Sequence, residues 1–290
     1  MKNKLILSIP VILVLAIIII FSITPSNFKN NTKLYIKKNS SLSQVAKLLK
    51  ENNIIYSTFL FKIGIILFNG EKSILAGDYN FEKPHGVGVI AYRLSHGEQG
   101  YNKIKITIPE GLNVEEIANI LNRNLSDFDK KEFIKKSSNS EGYLFPDTYY
   151  FIPHVSVDDI ILTMKNNFDN KIKSIYYEIR ISKRTLDEIV SMASILEEEA
   201  SSSEARRMIS GILWKRIDKG MLLQVDVEPN TYKVKGLPQT PISNPGINAR
   251  KDALNPTNNP FWYYLADKKG NTHYAVDFEG HISNKIKYLK

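Results

Sequence analysis

The sequence predicts an α+β protein in three parts: a single N-terminal transmembrane helix, a small α+β module and a larger α+β domain. Three observations predict it. Leu5 to Ile23 is an apolar run of 19 residues without a charge, long enough to cross a bilayer as a helix. Two strand-then-helix units of similar pattern follow, with Val45-Ala46 and Ile117-Ala118 at corresponding places. Beyond residue 140, helix-period stretches precede strand-like ones set among Pro, Gly and Asn.

The elements follow in order. Residues 1–4 carry Lys2 and Lys4. Short positive flanks stay in the cytoplasm, so this end is expected inside, with the rest of the chain on the outer side of the cytoplasmic membrane. A small-residue cleavage site does not follow Ile20-Phe-Ser-Ile-Thr24, so the run over 5–23 reads as an uncleaved anchor rather than a removed leader. Residues 24–31 are polar and Asn-rich, a linker. Leu34-Tyr-Ile-Lys37 reads as a strand and Ser41 to Lys50 as an amphipathic helix. Ala76 to Phe81 reads as a strand after a turn, and Val87 to Leu94 as a short helix. Ile104 to Pro109 alternates with period two, and Gly111 to Leu121 is again helical. The module therefore spans 32–125. Residues 126–140 are charged and Ser-rich, with a short helix around Glu132, and read as a linker; 141–290 is the second domain. Within it, Asp158 to Tyr177 and Ser202 to Ile217 read as helices, the latter stopped by Gly220. Phe261 to Ala266 and His273 to Val276 read as strands, and His281 to Lys290 as a short helix.

The chain of 290 residues has a formal net charge of +9 and no cysteine. Cationic surfaces suit anionic partners. Lysine is spread along the whole chain rather than interleaved with stacking aromatics, so nucleic acid is not an expected partner. Disulfides, thiolate nucleophiles and cysteine zinc sites are excluded. Five scattered histidines lack His-Glu-x-x-His spacing; no metal and no cofactor are expected.

One residue breaks its pattern. Thr185 to Ala200 reads as a helix, opened by a Thr185–Glu188 capping box. Set Leu186 at zero and turn about 100° per residue; Ile189, Val190 and Ala193 fall within roughly 60° of it, and Glu197 lies at roughly 20°. A carboxylate in an apolar stripe is costly to ionise, which suits a group that must hold and deliver a proton. Glu198 and Glu199 turn progressively away from the stripe. The alternative is that the helix stops earlier and Glu197-Glu-Glu199 is a solvated acidic run.

Further motifs fall in one order: Glu141-Gly-Tyr-Leu-Phe-Pro-Asp-Thr-Tyr149, Ala193-Ser-Ile-Leu-Glu197, Gly220-Met-Leu-Leu-Gln-Val-Asp226, Asn230-Thr-Tyr232, Pro241-Ile-Ser-Asn-Pro-Gly246, and Asn255-Pro256 followed by Phe261-Trp-Tyr-Tyr-Leu-Ala-Asp267. Together they resemble the endolytic murein transglycosylase family, over nearly the whole chain. The resemblance implies a membrane anchor, a LysM-like module over 32–125 and a catalytic domain over 141–290. It implies cleavage of the MurNAc–GlcNAc bond of peptidoglycan glycan strands, leaving 1,6-anhydro-MurNAc ends, beside the peptidoglycan synthases at the cytoplasmic membrane. The family's catalytic Glu maps onto Glu197. Substrate contacts are implied for Glu141, Tyr143, Asp147, Gln224, Asp226, Asn230 and Thr231. All but Gln224 also have a plain structural reading: a turn around Pro146 with core aromatics, a strand-end Asp at 226, and local turn bonding for Asn230 and Thr231. One departure stands out. The family carries a longer insertion after its Gln-x-Asp motif, and here Asp226-Val-Glu-Pro runs straight into Asn230. Two rival readings follow: a glycan-binding scaffold disabled by the lost loop, or a hydrolase using Glu197 and Asp226, whose carboxyl separation would decide its stereochemistry.

Overall fold

The computed structural model describes residues 15–68 and 74–289. The chain forms two compact units, Met1–Asn102 and Lys103–Lys290.

In the first unit, β1 (Thr32–Ile36) leads into helices α1 (Leu42–Glu51) and α2 (Thr58–Leu67), then β2 (Gly77–Phe81) and α3 (Val87–His96). β1 and β2 pair antiparallel, Thr32 opposite Phe81 and Ile36 opposite Gly77. Ser41 opens α1 with a capping box closed by Gln44. The core joins Ile36, Val45, Leu49, Phe61, Ile65, Tyr79, Phe81 and Ile90. Helix α2 is apolar on all sides, so it carries no helical stripe for a sequence reading to find. Arg93 is buried here. It donates to the Asn80 and Glu98 carbonyls at 2.8 and 3.1 Å and covers the Phe81 ring.

The anchor expectation is corrected. Among the described residues no helix is long and apolar enough to cross a membrane, so the single-pass placement with an outer domain does not stand. Of the run Leu5–Ile23, the described part is helical over residues 15–22. Near its end Phe21 packs against the first unit's core, where Gly64 and Gly88 leave room for its ring. Phe21 thus meets protein, while Leu15, Ile17, Ile18, Ile19 and Ile20 of the same stretch are exposed. The remainder, residues 5–14, lies outside the described residues.

The second unit holds β3 (Ile104–Thr107), α4 (Val114–Asn124), α5 (Lys130–Ser137), β4 (Thr148–Phe151), α6 (Val157–Ile172) and the short α7 (Tyr176–Ile181). After these come α8 (Leu186–Glu199), α9 (Ser203–Asp218), α10 (Ile247–Leu254), β5 (Tyr263–Ala266), β6 (Thr272–Ala275) and α11 (Phe278–Tyr288). β3 pairs antiparallel with β4 and β5 with β6. The division between units therefore falls at 102/103 rather than within 126–140. The reason is physical: β3 finds its partner in β4, and the apolar face of α4 (Val114, Ile117, Leu121) shares a core with Leu144, Tyr149, Ile160 and Met164. The stretch read as a linker contains α5, whose Phe133 is fully buried in that core.

Helix α8 begins as the sequence predicts. Thr185 Oγ1 accepts from Glu188 N, and Glu188 Oε2 accepts from Thr185 N. Ile189, Val190 and Ala193 are buried, and α8 packs against α9 and α10. With α9 it encloses a core of Ile189, Met192, Ile195, Leu196, Ile209, Leu213 and Trp214.

Candidate active site

Glu197 occupies the last turn of α8 with its side chain 11% exposed. Three connections converge on it. The first is the N-terminus of α10, where the Gly246 N–H donates to Glu197 Oε2 at 2.7 Å. A free N–H at a helix start favours a carboxylate. The second is α9, where Arg206 Nη1 lies 3.5 Å from Glu197 Oε1. That contact is long; the tighter pairing of Arg206 is Nε to Asp252 Oδ2 at 2.7 Å, with Ser203 Oγ on the other Asp252 oxygen. Arg206 is thereby a fixed, neutralised cation beside Glu197 rather than its ion-pair partner.

The third is the turn after β3, which brings in Glu110. An added Cβ on Gly246 would fall 1.7 Å from Glu110 Oε1, and one on Gly111 would fall 3.6 Å from Glu197 Cγ. Gly111 also has φ +83, a left-handed conformation suited to glycine. This turn is laced to the Ser243–Gly246 segment: Gly111 N donates to Asn244 O at 3.0 Å and Asn244 N to Leu112 O at 2.9 Å. Burial, then the charge of Glu197, pushes the Glu110 carboxyl up, against the opposing pull of Arg206 and Arg250.

Beneath the site lies Arg250 of α10, fully buried. It donates to the carbonyls of Gly142, at 2.9 Å, and Pro245, and its guanidinium lies over Phe145 and Phe168. Burial pushes it down to about 10, while Glu197 and Glu110 pull it back up; it stays a cation at neutral pH.

Six of the seven residues expected to contact substrate are spread over three cavities, Asp147 lining none of them, and Glu197 is not among the residues lining them either. Glu141 and Tyr143 border a cavity of ≈ 320 Å³ with Asp187, Ser191 and Pro241. The Glu141 carboxylate also acts as a clasp, accepting from Val114 N at 2.9 Å and Asn244 Nδ2 at 2.6 Å. Burial dominates there and lifts its carboxyl to about 7. The Tyr143 hydroxyl donates to Asp187. Asp147 is held elsewhere, by Thr148 N, Asn167 and Lys171. Burial pushes its carboxyl up, and those three partners outweigh it, leaving it lowered. Asn230 and Thr231 border a cavity of ≈ 560 Å³ with Val227, Leu237 and Pro241. The Thr231 hydroxyl is spent on the turn, donating to Glu228 O at 2.6 Å and accepting from Val225 N at 3.0 Å.

Gln224 and Asp226 border the third cavity, of ≈ 390 Å³, and the glutamate that lines it is Glu199, not Glu197. Here tertiary packing adds what a helical wheel leaves out. Glu199 does not point to solvent: one carboxyl oxygen is buried, with the Tyr264 hydroxyl beside it but outside good hydrogen-bond geometry. The segment around Val225 and strand β5 cover the helix face that a wheel leaves open. Burial, with a further push from Asp226, lifts the Glu199 carboxyl to about 7, against Tyr264 and the Val227 N–H. Asp226 itself accepts from the Tyr232 hydroxyl at 2.5 Å.

A pH dependence follows. The native state keeps the Glu199 proton where the unfolded chain has lost it, so this group's stabilisation is present below the ordinary carboxylate range and fades as pH rises toward about 7. Glu199→Gln should therefore match the wild type near pH 4 and exceed it at pH 8 by on the order of 1–3 kcal/mol. Urea unfolding at the two pH values checks this; equal gains at both would contradict it.

Sequence reasoning missed Glu110, Arg206, Arg250 and Asp252. The Pro241-Ile-Ser-Asn-Pro-Gly246 motif was visible, but helix α10 behind it was not.

Comparison with known proteins agrees with this architecture. The YceG-like family model matches residues 34–229 and 228–287, two segments that meet where the expected insertion is absent. An endolytic murein transglycosylase of Bacillus subtilis (strain 168) is 28% identical over 311 residues, covering 90% of this chain and 86% of that protein. One of Streptococcus pneumoniae serotype 2 is 22% identical over 328 residues, and the match covers 91% of this chain but 59% of that longer protein. A solved structure from Listeria monocytogenes, described as yceG-like, aligns with a TM-score of 0.57 at 26% identity, covering 88% of this chain and 99% of that one. With the family model matching well over half of its length, the chain belongs to the YceG-like family.

Proposed function

We propose that this chain is a peptidoglycan lytic transglycosylase, an endolytic lyase that cuts MurNAc–GlcNAc bonds with Glu197 as acid and then base. Family membership and the names of its relatives support the substrate and reaction class. The observation that carries the residue assignment is the shielded Glu197 carboxyl with one oxygen fixed by the Gly246 N–H at 2.7 Å.

The protonated Glu197 gives its proton to the glycosidic oxygen as the C1–O bond breaks. The carboxylate left behind is stabilised by the Gly246 N–H. It then takes the proton of the C6 hydroxyl, whose oxygen closes on C1 to form the 1,6-anhydro ring. Proton and bond counts balance, and the substrate supplies its own nucleophile. Glu141 and Tyr143 on one side, and Asn230 and Thr231 on the other, border cavities that share the Leu237–Pro241 wall, room for sugars on either side of that wall. Glycan binding by a LysM-like first unit belongs to the same reading, supported by its exposed Tyr35 and Tyr56; aromatic faces offer sugars a broad apolar contact.

A hydrolase remains the second reading because a second carboxylate does adjoin Glu197. That carboxylate is Glu110; Asp226 sits with Glu199. Digestion of purified peptidoglycan in heavy-oxygen water separates the two. The transglycosylase leaves an unlabelled end lighter by one water than a reducing end. A labelled reducing end would establish the hydrolase, and no turnover at all would favour the disabled scaffold.

A further inference from the structure

The mechanism above uses one carboxylate, yet the structure builds two around a single residue. Gly246 donates its N–H to Glu197 at 2.7 Å, while its α-carbon is so close to Glu110 that no side chain fits between them. Glu110 does not stray onto this spot. Its neighbours Gly111 and Leu112 are hydrogen-bonded to Asn244 in both directions, and Asn244 is bonded in turn to Glu141 and Leu144 N. The turn carrying Glu110 is thus tied to the same segment that holds Glu197.

We propose that Glu110 is a positioning carboxylate for the reaction at Glu197: the two side chains, both set against Gly246, share a single proton at working pH. This rests on the reading of Glu197 as the acid. With Glu110 ionised, its charge opposes loss of the Glu197 proton to solvent. Once that proton has gone to the glycosidic oxygen, two carboxylates are left against Gly246 and Glu197 becomes a stronger base for the C6 hydroxyl proton. Taking that proton restores the one-proton pair, so the cycle closes without water or any other reactant.

The surrounding charges permit this. From α9, Arg206 faces the pair but is already matched by Asp252 of α10. From α10, the buried Arg250 lies near both carboxylates and near the Tyr143 hydroxyl. From α8 itself, Glu198 adds a third negative group, with Glu116 of α4 beyond it. The charges on Glu110, Glu197 and Glu198 thus exceed the one unmatched cation, Arg250, and retaining a proton relieves the excess. Burial and the Glu197 charge both act on Glu110 in that direction.

The test is the pH dependence of kcat/KM on peptidoglycan for wild type, Glu110→Gln and Glu110→Asp. Two coupled carboxyls lose their last proton at raised pH. The Gln variant removes the repulsion, so its alkaline limb should move down by about one unit, with a loss of about tenfold above the limb and little change in KM. The Asp variant keeps the charge and should keep the limb. A Gln profile with an unmoved limb, whether scaled or not, overturns the proposal, as does an Asp profile shifted equally. Should the Gln variant not fold, the reciprocal measurement decides. Carboxyl-carbon NMR should show Glu110 ionising at lower pH in Glu197→Gln than in wild type, and an unchanged Glu110 overturns the idea. An active Glu197→Gln would instead defeat the assignment of Glu197; an inactive one with an unmoved Glu110 limb defeats only the present inference.

Discussion

Glu197→Gln should lower kcat/KM on peptidoglycan by ~10²–10⁴-fold, the range typical of losing a general acid–base group, while the protein stays folded. The amide can neither deliver the first proton nor accept the second. It can still accept the Gly246 N–H through its carbonyl oxygen, so the local structure survives. Its NH₂ would turn toward Arg206, which loses little, because Asp252 is that residue's main partner. The check pairs product quantification with a thermal melt. Loss of activity with an unchanged melt is expected. Activity within threefold of wild type, or inactivity explained by a collapsed melt, would remove Glu197 from the acid–base role. Glu198→Gln supplies the control: its side chain is exposed and lies outside the Gly246 contact, so its effect should be a small fraction of that of Glu197→Gln.

How far the site could be read in the sequence depends on what each residue needs. Glu197 needed only its own helix: a capping box fixed the start, and a carboxylate in a stripe of Ile and Val broke the local logic. Glu199 needed more. The wheel leaves its face open, and it is the chain from Leu223 to Val225 and strand β5 that closes it. Glu110 was invisible for another reason. Period-two alternation ends at Ile108, and Pro109-Glu-Gly111 then reads as an ordinary turn; only pairing with Asn244, over a hundred residues away, gives that turn its place. Helix α10 escaped because it is eight residues long, follows a Pro-Gly pair, and buries Arg250 and Asp252 among its inward residues. Two charges on a buried face erase the apolar period on which such readings depend. The boundary between units was misplaced for a related reason. The two strand-then-helix repeats look alike, but a strand's partner is settled by tertiary pairing, and β3 pairs with β4. The apolar N-terminal run read as a membrane anchor on length and hydropathy alone, measures that do not include the contact of Phe21 with the first unit's core.

Arg250→Met should be the most destabilising single change at the site. The side chain is fully buried, and its guanidinium satisfies the Gly142 and Pro245 carbonyls while spanning the Phe145 and Phe168 rings. Methionine fills much of the space but donates nothing. Two buried carbonyls are then orphaned, at about 1–3 kcal/mol each, and Glu197 and Glu110 lose the cation that faces them. A total near 3–5 kcal/mol is the usual cost of removing one partner from a buried charged network, and for a unit of this size it should lower Tm by roughly 6–20 °C. Arg250→Lys should fall between the two, because one ammonium cannot reach both carbonyls in the guanidinium's fixed fork. The electrostatic consequence separates this residue from a merely structural one. Removing a cation beside two carboxylates strengthens their hold on the shared proton, so the alkaline limb of activity in the surviving folded fraction should move to higher pH, opposite to the shift expected for Glu110→Gln. A melt within 2 °C of wild type would mean that the carbonyls find other donors, and a limb moving to lower pH would mean that Arg250 does not act on the pair.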